Sequence, residues 1–554
     1  MKLRDQLLSS LKALPGTRRF HLHVLVSAPH KYGELFPYAS TRPRMYAQDI
    51  LIFASEEVDI DRSTRAEAES ESGSQSTPIE PQHIFVTAVE ATLFHIPATT
   101  SAILYVAKVD STGQGKRPSP TTALVRALIS FYASSETRPT KLLGTTLWIH
   151  LFARAERQYL FPNSAEHPSK KPLNDVKLCL WWKRLLGRMV QELGHDAGDA
   201  RLYYVLPGMN ELEALQALGN ALKPNDTKSP KWVYGHPYSQ KEIPLPYVPS
   251  GRAIEPYNLG QLIPSFDDDP KTRFIDEIAC TTRVDGLRSP SRKRRRTDTE
   301  KKNGKEKADK EKDKETRTEG ELGLVSADEF WERMSFRQEC VAGAVTGFFV
   351  LVFPSRDTSS EPVSAVKEGT STNPLAPQPG EVSHHLVDRV IKSLMTSHEF
   401  STTERSLRAT SILEASIRGL CSGGIHISEK PSTRRVPPPF LVGDEGGEGG
   451  DPITKKDQTG EGEENTQQLL EPPKTPPRRP NSLSRLKNED ISPNPFPEPE
   501  PSADTYSSFV HGDISIANPD AAPAPSPAQN NGNADTGAVG GQVTVLTVRK
   551  KKRK

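Results

Sequence analysis

Apolar segments and long polar tracts divide this chain so sharply that only part of it can build a packed core. Of 554 residues, 34% are hydrophobic, while 48 are proline and 37 are glycine. The apolar segments fall between Phe20 and Pro354, with one further helix-like stretch at 384–421. Length alone allows three domains. The tracts rich in Pro, Gly, Glu and Ser cannot offset their ordering entropy, and this reduces the count to one globular domain over 1–421. Within it, disordered loops are expected at 62–80, 288–322 and 355–383. A disordered linker is expected over 422–541, with "PPKTPPRRP" as a polyproline segment, and a short tail over 542–554.

No run approaches the roughly 18 apolar residues of a membrane span, and the N-terminus "MKLRDQLLSSLKALPG" reads as a short amphipathic helix without a secretory apolar region. Membrane partners are therefore not expected. The 4 cysteines stand far apart with no CxxC pair, which speaks for a reducing compartment. Net charge is only +2, but it is unevenly spread: 288–319 holds 14 Lys/Arg against 8 Asp/Glu, including "RKRRR", and the chain ends in "RKKKRK". Such clusters read as nuclear import signals or as patches for an acidic partner. The nucleus is the expected location.

"FHLHVLV", "DILIFAS", "HIFVTAVEATLFHIP" and "SAILYVAKVD" read as strands, the last two as a hairpin or adjacent pair. "SPTTALVRALISFYA" opens with capping chemistry and continues as a helix, so 101–132 reads as strand, glycine-containing loop, helix. A strong helix covers 174–193, capped by Asn174, with Leu178, Trp181, Leu185 and Met189 at helical spacing. Residues 201–218 end a strand and begin a helix, 223–265 suit a long wrapped loop, and "FIDEIA" is a helical turn or two. Residues 326–354 form a helix and a very apolar strand.

The loop "DSTGQGKRPSPTT" lies between strand and helix, where backbone N–H groups and a helix dipole favour phosphate. It lacks the spacing of a P-loop. A phosphate-containing ligand and an ordinary flexible connection both fit it. His21, His23, His384 and His385 show no metal-ligand pattern and read as structural or exposed; no metal is expected. No GxSxG, HExxH or GxGxxG occurs.

Four blocks then narrow the reading: "LYVAKVDSTG" (104–113), "QYLFPNS…SKKPLN…WW" (158–182), "FDDDPKTRF" (266–274) and "FWERMSFRQE" (330–339). Together they resemble the fungal regulator-of-Ty-transposition histone acetyltransferases, the family known for acetylating lysine fifty-six of histone H3. The resemblance covers roughly 20–350. It implies an α/β (α+β) fold with a mixed central sheet surrounded by helices, like the CREB-binding-protein acetyltransferase. It also implies acetyl-CoA as co-substrate, and histone H3 (with H4) as substrate. Histone chaperones of the anti-silencing-function and nucleosome-assembly-protein types are implied partners. Roles in replication-coupled nucleosome assembly and the DNA damage response follow, with no sequence-specific nucleic acid.

Residue by residue, the resemblance implies cofactor contacts at Val109, Asp110 and Ser111, then at Pro118, Ser119, Pro120, Thr121 and Thr122. Further contacts are implied at Phe152, Glu156, Lys171, Pro172, Leu173 and Trp181. Glu156 and Pro172 depart from the family's residues, which leaves them backbone contacts. Asp110 is also an implied catalytic residue. Tyr159, Trp182 and Asp269 are implied to line a tunnel for the substrate lysine, and Lys271 to be autoacetylated.

The chemistry of "DDDP" agrees. A lysine amine with a pKa near 10.4 must lose a proton before it attacks a thioester, and a carboxylate in a narrow apolar tunnel can attract and deprotonate it. Crowding Asp267, Asp268 and Asp269 should raise the pKa of at least one, and Pro270 should hold Asp269 extended. A surface turn is the competing reading of these aspartates, and a non-enzymatic nuclear scaffold that binds histones or chaperones is the competing reading of the chain. A common N-acetyltransferase of the GNAT type is disfavoured, because no [RQ]xxGx[GA] loop is present. The apolar "VTVLTV" before the final basic cluster suits strand addition to a chaperone, which makes 542–554 a chaperone-binding tail.

Overall fold

The structure, a computed structural model, describes residues 2–39, 43–58, 82–219, 230–247, 258–280, 320–337, 344–355, 375–423 and 496–520. These include ten strands in one sheet: β1 (Gly16–Val26), β2 (His30–Tyr32), β3 (Met45–Glu57), β4 (His83–Ile96), β5 (Ser101–Ser111), β6 (Thr146–Ala153), β7 (Arg201–Val205), β8 (Trp232–Tyr234), β9 (Gly347–Phe353) and β10 (His511–Asn518). The order is β10-β1-β3-β4-β5-β6-β9-β7-β8, with β2 paired to β3 off this path. Neighbours are antiparallel except β5–β6 and β7–β8, which are parallel. Parallel neighbours need a long crossover; between β5 and β6 it is a helix. The expected mixed sheet is present.

Among the described residues, eight helices of two turns or more flank it: α1 (Leu3–Leu11), α2 (Thr121–Ala133), α3 (Asp175–Leu193), α4 (Glu211–Leu218), α5 (Pro270–Cys280), α6 (Ala327–Met334), α7 (His384–Ser397) and α8 (Thr403–Ser422). In α1, Leu3, Leu7 and Leu11 recur every fourth residue and form one buried stripe. That stripe joins α2, α3 and α4 in a core against one face of the sheet, with Leu104, Ile149 and Leu351 among the strand residues beneath. On the other face, α7 and α8 bury Leu386, Val390 and Leu413 against Leu51, Phe53 and Phe85. Residues 237–247 and 258–266, with α5 and α6, cover the rest of that face, packing Tyr247, Phe266 and Phe330 on Tyr105, Trp148 and Phe348. No helix among the described residues is long and apolar enough to cross a membrane.

Several expectations change. "FIDEIA" is the middle of an eleven-residue helix that starts at Pro270, because proline suits the first helical position, where its missing N–H costs nothing. The stretch 384–421 is two helices with a break at 398–402. Leu322 is buried, and the Ala28 and Val382 N–H groups exchange hydrogen bonds with Val382 and Val26 carbonyls, so the loops expected at 288–322 and 355–383 end in folded chain. The largest correction is in the linker expected over 422–541. There β10 pairs with all of Gly16–His23 and becomes the edge strand of the sheet. Polar anchors hold it: Arg4 Nη1 donates to the Ser507 and His511 carbonyls at 2.9 Å, and Asn518 Nδ2 to the Lys12 and Leu14 carbonyls at 2.7 Å. The 62–80 loop and the 542–554 tail lie outside the described residues.

Candidate active site at the open end of the parallel strands

The β5–β6 ladder runs from Ser101 opposite Thr146 to Val106 opposite Leu151. Past that point β6 keeps its other partner β9 as far as Ala153, and β5 keeps β4 as far as Ser111. The two parallel strands therefore part at their carboxyl ends, where α/β sheets bind ligands. Ala107–Ser111, including Val109 and Asp110, turn an edge toward this opening. The crossover helix α2 begins beside it. Its N-cap is Pro120, which has no capping side chain; Thr121 N–H donates to Ser119 Oγ at 3.3 Å, and the N–H groups that follow, with the positive dipole end, form an anion site.

The loop joining β5 to α2 is held tightly. A Cβ on Gly113 would lie 2.5 Å from Lys170 Cα, and one on Gly115 would lie 2.6 Å from Glu56 Oε2; only glycine permits these approaches. Buried Arg18 forms a two-pronged pair with Glu56 at 2.7 and 2.8 Å and donates to the Pro118 and Lys116 carbonyls at 2.8 and 3.0 Å. The glycines thus serve packing, and the flexible-connection reading fails. What remains for a phosphate is the helix start. There Ser119 and Thr121 share a hydroxyl contact at 2.7 Å, Thr121 meets Thr87 at 2.8 Å, and the exposed Thr122 hydroxyl accepts Trp181 Nε1–H at 3.2 Å.

Asp110 is a hub. One carboxylate oxygen accepts the backbone N–H groups of Tyr159, Leu160 and Phe161 at 2.8–3.1 Å. The other accepts Ser111 N–H and the Lys170 ammonium, each at 2.8 Å. Lys170 also donates to Ser164 Oγ at 2.7 Å. With five donors on it, the Asp110 carboxylate is committed to holding the "QYLFP" turn at the opening, a positioning role. Tyr159 is half-buried there and its hydroxyl donates to the Arg154 carbonyl. Glu156 is exposed and pairs with Arg154 at 2.9 Å. Lys171, Pro172 and Leu173 are exposed in the approach to α3, Leu173 at 42%. Phe152, at the end of β6, stacks on Phe348 at 4.8 Å.

The aspartate run splits by environment. Asp267 reaches solvent, yet its carboxyl is pushed up, first by partial burial and then by Asp268. Asp268 pairs with Lys108 of β5 at 2.9 Å, and Lys108 also pairs with Glu90 at 3.0 Å. Asp269 is fully buried. Its Oδ1 accepts the Lys271 N–H at 2.9 Å and its Oδ2 the Lys271 ammonium. Lys271 lies between the Phe348 and Phe266 rings, 4.8 and 5.6 Å from their centroids, and burial pulls its pKa down against the opposing pull of Asp269. Only the buried member of the run departs from the surface-turn reading.

Trp181 and Trp182 meet edge-on at 4.6 Å. Trp182 is buried with Ile149, Leu151 and Ala153 in the core beneath α2 and α3. His150, between those strand residues, points to the opposite face and meets Phe266 at 5.6 Å. Trp182 and Asp269 therefore approach the parted strands from opposite faces, with Tyr159 and Asp110 at the mouth. Three residues around Asp269 escaped the sequence reading. Burial and then Lys271 push the His150 imidazole well down, and its Nε2 has no hydrogen-bond partner among the described residues. The Tyr238 hydroxyl is likewise buried without one, and Tyr105 stacks on Phe266 at 4.0 Å. The alternation of "LWIHLF" could have flagged His150 as an imidazole inside the sheet.

The profile of the histone acetyltransferase KAT11-type domain matches residues 136–416, a span that contains three of the four motif blocks. Histone acetyltransferase rtt109 of Aspergillus flavus is 28% identical over 323 residues, 52% of this chain and 50% of that protein. Its namesake in Schizosaccharomyces pombe is 25% identical over 284 residues, 50% of this chain and 59% of that protein. The chain thus spans about half the length of these curated relatives. The crystal structure of Rtt109 from Aspergillus fumigatus superposes with a TM-score of 0.51 at 22% identity, covering 76% of this chain and 96% of that one, a likeness of fold. With the matched domain filling half its length and containing both the "QYLFP" turn and the buried Asp269–Lys271 pair, the chain belongs to the KAT11-type histone acetyltransferase domain family.

Proposed function

We propose that this chain transfers acetyl groups from acetyl-CoA to lysines of histone H3. The carrying observation is that the start of helix α2, whose N-cap Pro120 has no capping side chain, a bare strand edge and a buried carboxylate converge on one opening. Residues there fit the co-substrate. Ala107–Ser111 offer backbone groups to an extended amide chain, and the α2 start with Ser119, Thr121 and Thr122 suits phosphate, with Lys116 and Arg117 just before it in the chain. Trp181 and Leu173 supply apolar surface.

Acetyl-CoA supplies an activated acetyl thioester; the rest of the chemistry falls to the protein. An incoming lysine arrives as an ammonium, and Asp269 is the buried group that can attract it and accept its proton. Lys271 already occupies that carboxylate. Because burial disfavours its charged form, Lys271 gives up its proton more readily than a surface lysine, and acetylation of its amine removes the competing cation. Asp269 is then released for substrate.

The finer reading is acetylation of H3 lysine fifty-six, and of tail lysines, on H3–H4 presented by a histone chaperone, in nucleosome assembly and the DNA damage response. It rests on the family and on the acidic run at 267–269. Nuclear location rests on the basic clusters at 292–296 and 549–554. Labelled acetyl-CoA tests the proposal. Label should appear on Lys271 with the protein alone and on H3 when H3–H4 is added, faster with chaperone. No label on either leaves the chain a binding scaffold. Removing 542–554 should slow only the chaperone-dependent reaction.

A further inference from the structure

We propose that His384, His385 and Glu498 form a zinc site that fastens the C-terminal segment carrying β10 to the start of α7. His384 and His385 open that helix, and Glu498 comes from the segment that continues into β10. His384 Nδ1 and His385 Nε2 lie 3.6 and 3.5 Å from the same oxygen, Glu498 Oε1. The three ligand atoms all fall within 4.8 Å of one another. Bonds of about 2.0–2.1 Å in a tetrahedron put ligand atoms about 3.3 Å apart, so little movement is needed to close on one ion.

The surroundings are those of a supported site. Ser383 Oγ donates to Glu498 Oε2 at 2.5 Å, which fixes the carboxylate and leaves Oε1 toward the imidazoles. His30 stacks on His384 at 4.4 Å with an interplanar angle of 18°, which fixes that ring, and His30 Nδ1 faces Asp49 at 3.9 Å. A hydrogen-bond partner of a ligating carboxylate, as Ser383 is here, typically changes metal affinity by about 10–100-fold. A cavity of about 310 Å³, lined by Val382, Leu386, Cys421 and Pro499, adjoins His385 and Glu498 and gives room for water at a fourth position. Two imidazoles with one carboxylate select zinc over magnesium or calcium, which prefer oxygen. The ligands were invisible as a set because Glu498 is far along the chain from the histidine pair.

The full chain, stripped with a chelator, should take up one equivalent of zinc in competition with a chromogenic chelator, and its unfolding temperature should rise with zinc but not with magnesium. His385→Ala and Glu498→Gln, both at exposed positions, should each weaken zinc by tenfold or more, and Ser383→Ala by about tenfold. His83→Ala, in a separate histidine group, should leave zinc affinity unchanged. Absence of uptake by the unaltered chain would overturn the site. So would tight binding that survives both His385→Ala and Glu498→Gln.

Discussion

Asp269 and Lys271 satisfy each other inside the fold, the lysine giving its backbone N–H to one carboxylate oxygen and its ammonium to the other. Neither group touches bulk water to any extent. Removing one partner of a buried pair leaves the other charged and unsolvated, at about 3–5 kcal/mol. Asp269→Asn alone should therefore be destabilised by about that much, and adding Lys271→Gln should recover most of it in denaturant melts. Acetyl transfer should stay at least about a hundredfold down in both variants, since the proton acceptor is gone. Acetyl-CoA binding, measured by calorimetry, should remain nearly intact. Equal losses of binding and turnover would show that the carboxylate serves the co-substrate.

Asp110 predicts a different pattern. Its carboxylate holds three consecutive N–H groups of the "QYLFP" turn and the Lys170 ammonium. Asp110→Ala strands those donors, so both KM for acetyl-CoA and turnover should suffer, and the turn should become more open to proteases. Asp110→Asn, which keeps an acceptor, should lie in between. Loss of turnover with an unchanged KM and an unchanged cleavage pattern would instead restore a direct catalytic role.

These two aspartates also mark what the sequence can and cannot disclose. Strands with continuous apolar character, such as "DILIFAS" and "GFFVLVF", were legible because a strand covered on both faces of its sheet buries nearly every residue. Asp269 was legible because its neighbours Pro270 and Lys271 form one local block. Asp110 was named but its work was not, since its partners sit about fifty residues away. β10 was missed for the same reason: "HGDISIAN" is weakly apolar, lies in proline-rich chain, and gains its structure only from β1 nearly the whole chain away. Register over such distances belongs to the tertiary fold, not to local pattern.

Trp182 is 5% exposed within the core beneath α2 and α3, so truncation to alanine costs about 3–5 kcal/mol and confounds any kinetic reading. Trp182→Phe keeps most of the packing. If the indole also shapes the lysine channel, turnover should fall while the melting temperature changes by only a few degrees. Normal turnover in the phenylalanine variant would assign Trp182 to packing alone.

Acid should loosen the β1–β10 edge. His23 is fully buried, meets Tyr506 Oη through Nε2 at 3.2 Å, and is flanked by Glu414, His511, His21 and His83. Burial, partly offset by Glu414, pushes its pKa down to about 4. Between that value and about 6.5 the unfolded chain binds the proton and the folded chain does not. Stability therefore falls as pH drops through this window, by at most about 3 kcal/mol from this residue. Asp49 opposes the trend, because burial pushes its carboxyl up to about 6. The comparison must accordingly be with His23→Gln, whose melting temperature should fall less steeply between pH 6.5 and 4. Parallel curves would remove His23 from the account.

The edge strand ties these threads to the site. β10 covers the hydrogen-bonding edge of β1 from Gly16 to His23, and this stretch includes Arg18, whose guanidinium carries the Pro118 and Lys116 carbonyls just before α2. A chain ending at Val510 loses β10, the Asn518 anchors and buried Ile516, and it presents β1 as a bare edge ready to pair with another molecule. Light scattering should show concentration-dependent association that the full chain lacks. Because Arg18 then loses its support on one side, KM for acetyl-CoA should rise more than turnover falls. A chain ending at Asp520 keeps β10 and should match the full chain in both measurements. If the two truncations behave alike, β10 neither protects the edge nor steadies the helix start that receives the co-substrate.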